Sequence, residues 1–243
     1  MKLAQRANPV SVAEMQIAAA GLLDLGLTDY AQVYGLQRQL VTRRREGSAA
    51  DDIWLLTEHR PVFTLGKRGG RESLLVSEEF LRARGVGLVQ IERGGLITYH
   101  GPGQLVLYPI FHLREAGLTI SDYVHLLEEV MLRLALQNGV VARRDERNHG
   151  IWVKNNKLGS IGIAIRHGIT FHGLALNVEV DPEPFGWVNP CGLSGVSMTS
   201  LSLESGKRVT LTEVKRQLLP VVTEVFGRPL QRLTPAMAGV VAT

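Results

Sequence analysis

The chain has 243 residues, 45% of them hydrophobic and 21% charged, which suits one large globular domain and excludes a disordered or low-complexity polymer. A formal net charge of +4 and a pI near 9.4 favour acidic partners but fall short of a nucleic-acid footprint. The single cysteine excludes an internal disulfide, a four-cysteine zinc site or a cysteine-ligated iron–sulfur cluster within the chain.

The apolar stretch from Val10 to Leu27 is interrupted by Glu14 and Asp24, which spoils it as a signal-peptide core or membrane span. Residues 1–27 are therefore expected as an extension, 28–232 as one catalytic domain and 233–243 as a mobile tail, in a protein of the reducing cytoplasm with no membrane partner. Thr28 is expected to cap a helix carrying Val33, Leu36, Leu40 and Val41 and ending near Arg43-Arg44-Arg45. Ile53–Glu58 reads as a strand, broken by His59-Arg60-Pro61, and Val86–Glu92 as another. Gly94-Gly95 turns the chain before an apolar strand over Leu105–Phe111.

Ser121 opens an amphipathic helix with Val124, Leu127, Val130, Met131 and Leu134 on one face, closed by Asn138-Gly139. Ile151–Val153, the turn pair Asn155-Asn156 and Leu158–Ile165 read as a hairpin, and Phe171–Val180 as a further strand. Thr210 and Glu213 form a capping box for a last helix, which Pro220 is expected to kink or shorten. The order predicts an α+β (mixed α/β) single domain whose mainly antiparallel mixed sheet is flanked by helices.

Chemistry is expected at three places. Cys191 lies between Pro190 and Gly192 in punctuated loop, where a thiol serves as nucleophile only if a cation or helix N-terminus raises its thiolate fraction; the alternative is a buried small hydrophobe. Lys157 opens Lys157-Leu158-Gly159-Ser160-Ile161-Gly162 and is the candidate cation, its glycines admitting a ligand to the backbone; the alternative is a solvated hairpin lysine beside a bulge. The third is Arg93-Gly94-Gly95-Leu96-Ile97-Thr98-Tyr99-His100-Gly101-Pro102-Gly103-Gln104, backbone shaped around a ligand between two strands. It is no phosphate loop: Val106 occupies the third position of GxGxxG, and around Gly66-Lys67 the P-loop pattern fails at Pro61 and Arg68. No metal site is expected. His59, His100 and His172 lack ligand spacing, and His125 with Glu128 and Glu129 reads as a solvated helix edge. Arg43-Arg44-Arg45 and Arg143-Arg144 read as solvated surface, with docking of an acidic protein as the alternative.

Together these segments resemble the bacterial lipoyl(octanoyl) transferase family. The resemblance rests on Arg93-Gly94-Gly95 with Thr98 to Gln104, Lys157 with Ser160-Ile161-Gly162, His172-Gly173 with Ala175-Leu176-Asn177, and Pro190-Cys191-Gly192. Glu58-His59-Arg60-Pro61 and Thr64-Leu65-Gly66 add to it, and it runs from about Tyr30 to Gly227. One departure is Gly159 where such proteins usually carry Ala, expected to alter the pocket's shape slightly; residues 1 to about 20 have no counterpart.

The resemblance implies the biotin/lipoate protein ligase fold. It implies octanoyl transfer from octanoyl-acyl carrier protein, through a thioester on Cys191, to the lipoyl-domain lysine of a 2-oxoacid dehydrogenase subunit or the glycine-cleavage H protein. No ATP or other cofactor is called for, because the donor thioester is already activated. Cys191 and Lys157 carry the family's nucleophile and the residue lowering its pKa. Arg93, Gly94, Gly95, Leu96, Ile97, Thr98, Tyr99 and His100, then Ser160, Ile161 and Gly162, then Gly173, Leu174 and Ala175 match its substrate-contacting stretches, with His59 and His172 in support. Backbone N–H groups near Gly162 or Gly173 are the expected oxyanion donors. Gly173→Val is expected to crowd the site and leave the protein folded. The rivals are an ATP-dependent lipoate or biotin ligase, against which Thr98–Gln104 stands where lipoate ligases usually show a glycine run, and a non-catalytic basic module binding RNA, which would leave Cys191 dispensable.

Overall fold

The computed structural model describes residues 20–47, 52–189 and 196–239. Cys191, its neighbours Pro190 and Gly192, and most of the expected extension therefore lie outside the described residues.

The first strand, β1 (Ala20–Thr28), runs into helix α1 (Tyr30–Arg45), whose N-cap is Asp29 and not Thr28, the last residue of the strand. Then follow β2 (Ile53–His59), β3 (Val62–Leu65), α2 (Glu78–Ala83), β4 (Gly87–Gln90), β5 (Ile97–His100) and β6 (Gln104–Ile110). Helix α3 (Ile120–Gln137) starts on a Thr119/Asp122 capping box and buries the predicted face of Val124, Leu127, Val130, Met131 and Leu134. After it come β7 (Arg143–Arg144), β8 (Gly150–Val153), β9 (Asn156–Arg166), β10 (Ile169–Asn177), β11 (Ser197–Met198), α4 (Leu201–Ser205), α5 (Leu211–Phe226) and β12 (Leu230–Arg232). The Thr210/Glu213 box caps α5 as expected, and Pro220 sits inside a helix that continues to Phe226.

Among the described residues nine strands form one mixed, mainly antiparallel sheet in the order β12-β1-β2-β6-β10-β9-β8-β7, with β11 added alongside β9. Three more make a small sheet, β4-β3-β5. Alternation along β6 explains the layering: Leu105 and Leu107 face the core under α3 and α5, while Val106, Tyr108 and Ile110 face the one under α1. A third core, with Phe63, Tyr99 and Phe185, lies under the small sheet.

Two expected boundaries change. The division after Leu27 falls inside β1, whose Leu22 and Leu23 are buried and which pairs with β2 and β12, so residues 20–27 belong to the sheet. The expected tail is anchored at two points: the Leu233 N–H donates to Leu22 O and its side chain covers Gly21, and Ala238 is buried. Within the arginine runs, Arg43 is held on the Ala238 carbonyl, Arg44 on Asp52 and Glu115, and Arg144 on Glu128 and Glu129, whereas Arg45 and Arg143 stay exposed as expected. Glu128 is accordingly no solvated edge; it is buried and also accepts from the Gly150 N–H at 3.0 Å.

Candidate active site

Glycines set the shape of the site before any side chain enters it. A Cβ on Gly66 would lie 2.3 Å from the Gly95 carbonyl and one on Gly70 2.9 Å from the Ile97 nitrogen, so the 66–70 loop can lie against the 93–97 segment only without side chains. Gly94 N–H donates to Ile163 O at 3.0 Å, docking that segment along β9, and Arg93 is held by Thr64 through its carbonyl and hydroxyl. Ile97–His100 is a strand, not ligand loop as the sequence suggested. The alternation turns Thr98 and His100 to one side and Tyr99 to the other, against Phe63 and Phe185.

Between the two sheets, on the α1 side of the large one, lies a cleft that opens to solvent. It is lined by Arg93, Gly94, Gly95, Leu96, Ile97, Thr98 and His100, by Lys157, Ser160, Ile161 and Gly162, and by His172, Gly173, Leu174 and Ala175. Three segments distant in sequence thus meet around one space. Of the expected contact residues, Tyr99 is not on its wall; it belongs to the small sheet's core. His59 is not on the wall either and stands behind it, its ring 5.7 Å from that of His100. Tyr30, Arg68, Tyr108 and Asn148 line the cleft without a sequence signal to single them out.

Lys157 is 3% exposed, so it is not the solvated hairpin lysine, although the bulge is real: the β8–β9 register shifts beside it. Its Nζ donates to Asn148 Oδ1 at 2.6 Å and lies 5.3 Å from the centre of the Trp152 ring. Gly150, at φ +125°, gives its stem room, since a Cβ there would sit 3.2 Å from Lys157 Cε. On its far side Ser197 and Met198 pair with Asn156 and Lys157, so the chain leaving the Cys191 segment rejoins the described fold at Lys157.

One end of the cleft gathers aromatic rings beside the Arg93 guanidinium. Tyr30 stacks on His100 with ring centres 5.9 Å apart, and its hydroxyl lies 3.4 Å from His172 Nδ1. His59 Nε2 is hydrogen-bonded with the Tyr108 hydroxyl at 2.9 Å. Burial, with His59 beside it, lowers His100 to a pKa of about 3; burial lowers His59 to about 4; and burial, with the Arg93 charge, lowers His172 to about 3. Burial also raises the Tyr30 and Tyr108 hydroxyls, so at neutral pH these rings are all neutral. Among the described residues His172 Nε2 is buried without a hydrogen-bond partner.

Two expectations about glycines are corrected. The Ile163 carbonyl points out to Gly94, so by strand alternation the Gly162 peptide groups point to β10, where Gly173 is the opposing residue. Their N–H groups serve the ladder and are not free oxyanion donors. Gly159 is not on the cleft wall: a Cβ there would face Met131 Sδ at 2.6 Å, in the core beneath α3.

A family model described as the lipoyl protein ligase A/B catalytic domain matches residues 29–223. The octanoyltransferase of Desulfotalea psychrophila is 54% identical over 208 residues, covering 85% of this chain and 93% of the relative. That of Syntrophobacter fumaroxidans is 44% identical, covering 88% and 94%. In fold, the chain is similar to protein Ta0514 from T. acidophilum, solved with bound lipoic acid, at TM-score 0.73, 17% identity and coverage of 91% and 92%. A biotin protein ligase from Aquifex aeolicus shares the fold more distantly, at TM-score 0.50 and 12% identity, with coverage of 86% and 70%.

Proposed function

Since the chain belongs to the lipoyl protein ligase A/B catalytic-domain family, and is an octanoyltransferase of lipoate biosynthesis within it, we propose that it takes octanoyl from an acyl carrier protein thioester onto Cys191 and delivers it to a lipoyl-domain lysine. The acceptors proposed are lipoyl domains of 2-oxoacid dehydrogenase subunits and the glycine-cleavage H protein. The observation that carries the reading is the burial of Lys157 in the wall of the cleft, at the point where the chain returning from Cys191 rejoins β9.

The Cys191 proton goes to the Lys157 amine, and the thiolate attacks the donor carbonyl. The carrier's sulfur leaves and takes that proton, which returns Lys157 to the neutral amine. The acceptor amine then attacks the Cys191 thioester, Lys157 accepts the proton that the nitrogen loses, and Cys191 leaves as thiolate beside an ammonium. Splitting the transfer lets one site meet two protein partners in turn. The cleft holds the acyl tail by burial worth about 0.8 kcal/mol per methylene, so chain-length preference is graded. Its neutral rings suit this role, and the Arg93 guanidinium beside them is occupied by Thr64 and the Gly94 carbonyl.

The test is intact mass after exposure to octanoyl carrier protein without acceptor. One octanoyl group mapping to Cys191 is expected, absent from Cys191→Ser. Stable label elsewhere, or product from free octanoate and ATP but none from the carrier thioester, would overturn the scheme.

A further inference from the structure

From the cleft wall to Lys157 runs a buried line of side-chain amides. His100 Nδ1 is 2.7 Å from Gln104 Oε1, Gln104 Nε2 donates to Asn177 Oδ1 at 2.8 Å, and Asn177 Nδ2 donates to Thr199 O at 2.9 Å. The Thr199 N–H in turn donates to Lys157 O at 3.0 Å. All four residues before Lys157 are buried. The direction of the line is fixed, because each amide gives its N–H₂ onward and keeps its oxygen to accept. Gln104 Nε2, which also reaches Tyr99 O at 3.3 Å, cannot accept, so Oε1 must receive the hydrogen of His100 Nδ1.

The backbone explains why a side-chain line is needed. The β9–β10 ladder ends at the Gly159–Leu176 pair, and β9 bulges beyond it. Main-chain pairing with β10 therefore does not reach Lys157. The Asn177 side chain takes over where the ladder stops, gripping Thr199, which grips Lys157. We propose that Gln104 and Asn177 are positioning residues: they register the Lys157 end of β9 against the His100 wall and hold His100 as the Nδ1–H tautomer. A buried polar line of this kind works only when every member is satisfied, so loss of one link misplaces the ends. The inference rests on the reading of Lys157 as the proton carrier.

Asn177→Leu keeps the volume and breaks the line, and should slow octanoyl passage from acyl-enzyme to a lipoyl domain at least about tenfold. Asn177→Asp is the sharper variant. Its ionised carboxylate opposes the Thr199 carbonyl, whereas its protonated form donates there and still accepts from Gln104. Burial raises the pKa of such a carboxyl. The rate of Asn177→Asp relative to wild type should therefore rise about tenfold from pH 8 to pH 6. Among the described residues, His100 through Gln104, with His59, His172 and Arg93 around it, Glu204 on the Thr199 hydroxyl at 2.7 Å, and Lys157 through the main chain are titratable or charged groups around the line, and all are common to both proteins. A ratio flat with pH, or wild-type passage by Asn177→Leu, overturns the positioning role. Undiminished passage by Lys157→Ala overturns the underlying reading instead, whatever the Asn177 variants do.

Discussion

Pro109 in β6 stands opposite His172 in β10, and the absence of its N–H is what turns the histidine toward the cleft. The same antiparallel register holds on either side, at Leu174–Leu107 and at Ile169–His112. The proline cannot supply the bond that His172 O would receive there. His172 adopts φ +56°, its N–H donates to Gln37 Oε1 at 2.7 Å, and the Pro109 carbonyl accepts from the Thr170 hydroxyl at 2.9 Å. A gap in a hydrogen-bond ladder thus becomes part of the wall of a binding site.

Pro109→Ala restores the missing donor. Residue 172 should relax to extended backbone and withdraw its imidazole, lowering kcat/KM about tenfold while stability holds or rises by about 1 kcal/mol. Steady-state kinetics beside a denaturant midpoint check both halves; unchanged kinetics would detach His172 from the site.

Stability should fall in mild acid. The folded pKa values of His59, His100 and His172, about 4, 3 and 3, lie below the unfolded value of about 6.5, so the unfolded chain binds protons first. Their stabilising effect is whole above about pH 6.5 and is lost as pH falls toward 4. At full effect three protons give a slope of about 4 kcal/mol per pH unit. Denaturant unfolding at pH 7, 6 and 5 measures it. His172→Gln should reduce the slope by about one third, and a pH-independent midpoint would refute the account.

Lys157→Ala should slow transfer by about 10²-fold or more, and Asn148→Ala, which leaves Nζ without its 2.6 Å partner, by about tenfold. Lys157→Arg keeps the charge but must fit a planar fork into a slot already tight at Gly150. It should form acyl-enzyme slowly and stall at the second step. Single-turnover rates for each half-reaction separate these outcomes.

Gly173→Val, expected from sequence to leave the fold intact, should instead cost more than about 3 kcal/mol. Any Cβ there lies 2.2 Å from the Leu107 carbonyl, main chain that cannot step aside. Gly162→Ala meets only Arg93 Cδ, at 2.8 Å, so it should fold and raise KM for the donor. Thermal melts and kinetics on the pair test whether these two opposed glycines serve different ends.

The long helices were legible from their apolar period, with capping in agreement at Thr210; α3, expected to open at Ser121, is instead capped by Thr119. β1 was not, since Asp24 and Gly26 break its apolar run and its burial depends on β2 and β12, far along the chain. β5 was hidden for the opposite reason: glycines on either side made a regular strand look like loop. The cleft-lining segments could be read where the lining is contiguous, as in Arg93 to Thr98. Tyr30, Tyr108 and Asn148 reach the cleft only through tertiary convergence, and the loss of a ladder bond at Pro109 becomes visible only once His172 is known to lie opposite.

The pairing of β12 with β1 also bears on how the protein is made. Leu230–Arg232 lies parallel to Ala20–Leu22 and covers the outer edge of β1 with residues that leave the ribosome long after it. Until then a nascent chain carries β1 with one flank of unpaired peptide groups beside buried-type leucines, an invitation to pair with another chain. Closure across some two hundred residues is also slow to find by diffusion. Translation pauses or truncations before Leu230 should consequently yield aggregation and not a merely shortened enzyme, which makes β12 a late quality check on the whole sheet.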